Sequence, residues 1–156
     1  DTSEKALDDT RKNIEWMKSQ IADIKPSTPK LILSGAGELH GKIAPSSIDA
    51  LAAEPYMGKP LRGTEDKRTL EKQASELKEM YVNAFKAFAK ILTPGGVAVF
   101  IIPRFLCDKT WIRIHCTERI QDLGFYLERL TETEPSILYS RPGQFVGREI
   151  WKFKKI

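Results

Sequence analysis

Residues 53–58, "AEPYMG", set a carboxylate, a proline, an aromatic ring and a glycine in succession. They follow the apolar-rich stretch "SIDALA" and precede the basic loop "KPLRG". A turn needs the proline and the glycine, but it has no need of Glu54 or Tyr56. A Pro-Tyr pair at a strand end suits a planar heterocycle. The backbone is fixed there, and the ring can stack on a π face, worth about 1–3 kcal/mol per base. A carbonyl or nearby carboxylate can accept a hydrogen bond from an exocyclic amine, which is how a base drawn out of its stack is held for chemistry. A plain strand-to-loop turn with Tyr56 packed on the surface is the alternative.

Other reactive residues are few. Cys107 and Cys116 are the only cysteines, and His40 and His115 the only histidines. Their spacing matches no zinc pattern and makes no disulfide framework, so free thiols in a reducing compartment and no metal are expected. His115 and Cys116 are chain neighbours, which does not make them a catalytic pair. Net charge is +4 and the pI about 9.0, which permits an anionic partner without demanding one. No apolar run approaches the ~20 residues needed to span a bilayer, so no membrane partner is expected and the location expected is cytoplasmic.

With 156 residues, 41% hydrophobic and 29% charged, the chain suits one globular domain over 1–156. The opening "DTSEKALDDT" offers Asp1, Thr2 and Ser3 as helix caps, with Glu4 in the first turn. A chain starting on a helix cap leads us to expect further sequence upstream. Leu7, Ile14, Met17 and Ile21 form one apolar stripe, and "KPSTP" at 25–29 is the expected stop. Leu31–Leu33 predict a short buried strand ending in "SGAG", and "SIDALA" (47–52) predicts the next. Leu70, Ala74, Leu77, Tyr81, Ala84, Phe88 and Ile91 alternate steps of four and three, predicting a long helix that "TPGG" (93–96) ends. "VAVFII" (97–102) is apolar throughout, as in a central parallel strand covered on both faces. A short helix over Thr117–Leu123 closes at Gly124, and "YLERL", "SILYS", "RPGQ" and "REIWKF" predict a closing antiparallel hairpin.

Strands alternating with helices predict an α/β, Rossmann-like parallel sheet wrapped by helices. Ligands bind such sheets outside the C-terminal strand ends. The segments to inspect are therefore "SGAG", "AEPYMG" and "IPRF".

Four segments carry a resemblance to a known family: "DTSEKALDDTRKNIEWM", "SIDALAAEPYMGKPLRG", "LTPGGVAVFIIPRF" and "LYSRPGQFVGREI". In that order they resemble the class I S-adenosylmethionine-dependent methyltransferases. More narrowly, they resemble the tRNA guanosine N2-methyltransferases and their RNA methylase relatives, whose site is an Asp/Asn-Pro-Pro-Tyr type motif after the fourth strand. The resemblance implies that Asp1 binds the cofactor ribose and that Ser34, Gly35 and Ala36 lie beside the adenine. Pro55 supplies a carbonyl for the guanine amine and Tyr56 a stacking ring, with Glu54 as an acceptor from the adjoining position. Arg62, with Lys59, Arg68 and Arg104, could meet phosphates or be solvated surface charges, and Arg141 and Arg148 bracket a turn that resembles the family's closing hairpin near the base pocket or is a plain structural β-turn. Trp16 and Trp111 read as packing or surface anchors.

The sequence departs from the family pattern. Ala53 stands where the motif has a polar residue, Glu54 where it has proline, and Gly35 where the family often has aspartate. The glycine-rich loop that follows the family's first strand is not present, since "SGAG" follows the third. The first strand, first helix and second strand are expected to be missing with it, leaving the C-terminal part of a catalytic domain.

The implied function is methyl transfer from S-adenosylmethionine to the exocyclic amine of guanosine in RNA, tRNA above all, by this chain or by a larger enzyme of which it is a fragment. DNA amino-methyltransferases share a related motif, so adenine or cytosine in DNA is a further reading. A non-catalytic RNA- or protein-binding module with a degenerate fold is the alternative. An enzyme completed in trans is the third reading, in which a homodimer or second chain pairs with an exposed sheet edge.

Overall fold

The computed structural model describes residues 1–20 and 29–156. Ile21 and most of the expected helix stop at 25–29 lie outside the described residues.

Helix α1, Glu4–Gln20, starts where expected: the Ser3 hydroxyl accepts from the Ala6 amide at 3.2 Å, a side-chain cap. Its apolar stripe is only partly used. Leu7 and Ile14 are half-buried, while Met17 and Trp16 are exposed. Leu31–Leu33 form no regular strand; the segment is extended, and its described backbone bonds run to Asp1. A 3-10 turn over Ala36–Gly41 follows, then strand β1, Ile48–Ala53.

Helix α2 spans Lys67–Ile91, and Asp66 caps it by accepting from the Thr69 amide at 2.7 Å, worth about 1 kcal/mol. All seven positions of the predicted stripe are buried. Strand β2 runs Leu92–Cys107, beginning as soon as the helix ends and continuing through "IPRF". Arg104 therefore sits within the strand and not at its end, opposite Arg113 and Gly147.

Strand β3, Thr110–Arg113, folds back on β2 through Asp108 and Lys109, which have φ of 45° and 66°. Two successive positive φ values match the right-handed twist of a tight hairpin. A short helix α3, Thr117–Gln121, leads to β4, Phe125–Glu128, followed by β5, Ser136–Tyr139, and β6, Val146–Lys155.

The sheet order is β1-β2-β6-β4, with β3 on β2 and β5 on β6. Among the described residues, parallel strand pairing is confined to β1 and β2, with Ala53 beside Phe100; the other ladders are antiparallel, including the β5–β6 hairpin. Central β2 thus has a parallel neighbour on one side and an antiparallel one on the other. No helix among the described residues is long and apolar enough to cross a membrane.

The core lies between α2 and the sheet. Phe85 is 0% exposed and meets Phe88, Phe100, Phe125 and Phe153 edge-on, with ring centroids 5.0 to 5.2 Å away. Those four rings come from α2, β2, β4 and β6, so one side chain ties four elements together.

A buried carboxylate stands beside this core. Glu149, 2% exposed, accepts from Arg104, from Arg113 Nη2 at 2.9 Å and from the Ser136 hydroxyl at 3.2 Å. Burial pushes its pKa up, but the two guanidiniums outweigh burial and hold it below the ordinary 4.5. A depressed folded pKa makes this contribution to stability fully present above pH 4.5 and lost as pH falls through the folded value. Urea titrations from neutral to acid pH are expected to find Glu149→Gln less stable at neutrality, with the deficit closing on acidification. A constant deficit would mean the carboxylate is not ionised in the fold.

Candidate functional site

A cavity of about 760 Å³ opens at the C-terminal end of β1. Three backbone segments and one helix face build it: Asp1–Thr2, Ser34–Leu39, Ala53–Tyr56, and the Met80–Ala84 stretch of α2, with Phe88 and Phe100 beneath.

Each wall has a local cause. The Asp1 nitrogen donates to the Ile32 carbonyl at 3.1 Å, and the Ser34 amide donates to the Asp1 carbonyl at 2.9 Å. Residue 1 thus bonds to either side of Leu33, the pattern of parallel neighbours. The Asp1 carboxylate caps the chain entering α1, accepting from the Ser3 amide at 2.9 Å.

In the Ser34–Leu39 wall, a Cβ at Gly37 would fall 2.3 Å from the Asn83 side-chain nitrogen, so any other residue there would displace that amide from its place against the turn. Gly35 is different: a Cβ on it would meet nothing within 4 Å. The missing aspartate at this position is therefore not excluded by space.

In the third wall, Tyr81 of α2 donates its hydroxyl to the Tyr56 carbonyl at 2.7 Å. Tyr81 is buried, and burial, followed by Cys116 and Tyr56, raises its pKa above the ordinary phenol value, so it stays a neutral donor. The Tyr56 carbonyl is thereby occupied, whereas the Pro55 carbonyl accepts from no described residue. The Tyr56 ring is 60% exposed at the cavity rim. Arg148 Nε donates to Glu54 Oε1 at 2.7 Å, holding the carboxylate through one oxygen.

Asp1, Ser34, Gly35, Ala36, Glu54, Pro55 and Tyr56 therefore share one cavity, although they are far apart in sequence. Arg62 and Arg141 do not line it. Arg62 lies in an exposed loop whose backbone is held by Glu65 Oε1 at 2.8 Å. Arg141 folds back on Tyr139, with Nε 2.5 Å from the hydroxyl and its guanidinium carbon 5.5 Å from the ring centroid. Of the two arginines bracketing the hairpin turn, Arg148 reaches the site. Arg104 is held by Glu149, so it is not a free phosphate contact. His115 is exposed whereas Cys116 is buried, and burial pushes the Cys116 thiol up to about 12. The two make no pair.

Tyr81 and Asn83 also line the cavity, and neither stands out in the sequence as a site residue. Tyr81 reads as a core position; the available signal was a hydroxyl at one place in an otherwise apolar stripe.

No family model matches the chain, and no curated protein matches it. Solved structures do. A proposed rRNA methylase of Clostridium thermocellum aligns with 100% of this chain and 73% of its own, at 16% identity and a TM-score of 0.54. A proposed DNA modification methylase of Thermus thermophilus aligns over 78% of this chain at 15% identity and a TM-score of 0.53. The PvuII cytosine-N4-specific DNA methyltransferase aligns over 79% at 14% identity and a TM-score of 0.50.

The fold is that of the Rossmann-like methyltransferases. At such identities the likeness concerns the fold. The chain spans 52% of the Thermus protein and 48% of the PvuII enzyme.

The cavity's donor set fits the adenosyl part of S-adenosylmethionine. Asp1 offers a carboxylate, Ser34–Ala36 the backbone that leads into the 3-10 turn, and Ala84 and Phe88 an apolar floor.

Proposed function

We infer that this chain forms the adenosyl half-site and the base pocket of an S-adenosylmethionine-dependent methyltransferase. Its acceptor is the exocyclic amine of guanosine in RNA, with tRNA as the substrate. The observation that carries this reading is the convergence of Asp1, Ser34–Ala36 and Glu54–Tyr56 on one cavity at a strand end.

Bound S-adenosylmethionine supplies an activated methyl group. The chain's own residues hold the base: the Tyr56 ring stacks on it, and the Pro55 carbonyl accepts from its amine and orients the nitrogen. In this reading Glu54, one oxygen of which Arg148 holds, is the further acceptor and takes the proton that the amine loses. Most of the acceleration is positioning, with fixed acceptors stabilising the developing positive charge. Arg62 and Arg141, outside the cavity, belong to the RNA contact surface in this reading. The outer edge of β1 pairs with no strand among the described residues, and a second chain, such as a copy of this one, completes the sheet there. A single monomeric species in sedimentation at micromolar concentration would remove that element.

Calorimetric titration of S-adenosylmethionine is the first test, with Asp1→Ala as control, followed by transfer of labelled methyl to tRNA and to duplex DNA. Binding lost in Asp1→Ala and label on guanosine in tRNA are expected. Label on DNA alone would reassign the substrate. No binding up to millimolar cofactor would favour the second reading, a binding module without catalysis, which apolar Ala53 and side-chain-free Gly35 support.

Tyr81→Phe tests the motif's anchor. Losing one neutral hydrogen bond costs about 0.5–1.5 kcal/mol. The turnover number is expected to fall several-fold, with a thermal shift of a few degrees; unchanged turnover would mean the Tyr56 carbonyl needs no anchor.

A further inference from the structure

A second groove, of about 490 Å³, lies across α2 from the first cavity. Its α2 wall is Lys67, Glu71, Ala74, Ser75 and Lys78, and its other wall is Thr110–His115, from β3 onward. On the helix, positions 67, 71, 75 and 78 share one face, whereas Met80, Asn83 and Ala84 face the first cavity. The two openings therefore flank the buried stripe of α2 on opposite sides.

The groove's chemistry is cationic with an aromatic wall. Lys67, Lys78 and Arg113 stand against two carboxylates: Glu71, whose ion pair with Lys67 is loose at 3.7 Å and exposed at both ends, and Glu149, which Arg113 shares with Arg104. Arg113 is pinned from below by buried Glu149, which fixes its guanidinium at the groove wall while leaving it half exposed. Trp111 lines the same wall. A Cβ at Gly147 would fall 3.2 Å from two atoms of the indole ring and 3.1 Å from Leu138 Cδ1, so the ring packs close over β6 and a side chain at 147 would push it away by a few tenths of an ångström. One anchored cation and two mobile ones beside an aromatic ring are the two parts of a platform for single strands, the charges meeting phosphates and the ring a base face.

We propose that the groove between α2 and β3 binds the phosphodiester backbone of a single-stranded RNA segment. The groove is a site separate from the base pocket. The identity of the strand as RNA rests on the proposed function, whereas the charge and the indole wall are independent of it. The loop from Tyr56 to α2 joins the two openings and carries Lys59 and Arg62, with Arg68 in the first helical turn, all exposed. A strand whose nucleotide enters the first cavity would pass these cations, with Glu65 and Asp66 between them, over the start of α2 into the second.

The test is fluorescence anisotropy with a labelled single-stranded RNA of about twelve nucleotides, followed across salt concentration. The proteins are the full chain, Lys67→Gln/Lys78→Gln and Glu71→Lys. Each phosphate contact on a single strand contributes about 0.7 to the salt slope. The double variant is expected to lose about 1.4 from that slope and to bind on the order of tenfold more weakly near 0.1 M salt. Glu71→Lys is expected to bind more tightly, a gain that misfolding does not produce. An unchanged slope in the double variant overturns the groove. DNA of the same sequence bound as tightly as RNA overturns the RNA assignment. Failure of the methyltransferase reading shows separately, as absent calorimetric binding of S-adenosylmethionine by a chain whose RNA binding still depends on Lys67 and Lys78.

Discussion

Phe85→Ala is expected to destabilise the chain by about 3–5 kcal/mol, the usual cost of removing a buried phenyl ring and leaving its cavity. The upper part of that range applies because the site resists collapse. Phe88, Phe100, Phe125 and Phe153 approach the ring from one helix and three strands, and no single element can move to fill the void without breaking its own ladder. Against a domain stability of about 5–15 kcal/mol, this is a large share of the margin. At roughly 2–4 °C per kcal/mol for chains of this size, melting is expected to fall by roughly 10 °C or more. Urea denaturation measures the free energy directly, and Phe85→Leu is the control, since leucine restores much of the volume. A loss below about 1 kcal/mol would mean that the four rings do not share a single centre. The site would feel the same change: Phe88 and Phe100 belong to this cluster and also form the cavity floor.

How far the fold is legible follows from how local its causes are. The stripe on α2 is complete in sequence because a helix repeats every few residues, and every position of it is buried. Strand β3 is not legible: its hairpin turns on Asp108 and Lys109 with positive φ at both, and no glycine marks it. Arg104 reads as the end of a strand because a charge rarely sits inside one. Its compensation, Glu149, is forty-five residues away and becomes visible only when β2 and β6 are paired. Leu31–Leu33 have the composition of a strand, yet a ladder needs a partner, and the described partner is Asp1 alone.

The cavity was legible to the extent that strand ends converge in this architecture, which brings Asp1, Ser34–Ala36 and Glu54–Tyr56 together. The choice between Arg141 and Arg148 was not. It depends on the β5–β6 register, which sets Arg148 beside Tyr139 and within reach of Glu54 while Arg141 turns back over the Tyr139 ring.

Tyr56→Ala separates function from fold more sharply than any other change. Its ring is 60% exposed and belongs to no core cluster, so stability is expected to stay within about 0.5 kcal/mol of the parent chain. The backbone carbonyl that Tyr81 holds is retained, because alanine keeps it. In the proposed function, what is lost is the stacking face for the base, about 1–3 kcal/mol. Methyl transfer measured as kcat/KM is therefore expected to fall roughly 5- to 150-fold, the range those energies convert to. Tyr56→Phe keeps the face and is expected to recover most of the activity. The division of the loss is informative. A rise in KM alone means the ring holds ground state and transition state equally, whereas a fall in kcat means that it sets the angle of the amine in the reaction itself. S-adenosylmethionine binding in the same variant is expected to change little, since the ring stands at the rim and Asp1 on another wall. Cofactor affinity lost along with activity would mean that Tyr56 closes over the adenosyl group, and that the base lies elsewhere in the cavity.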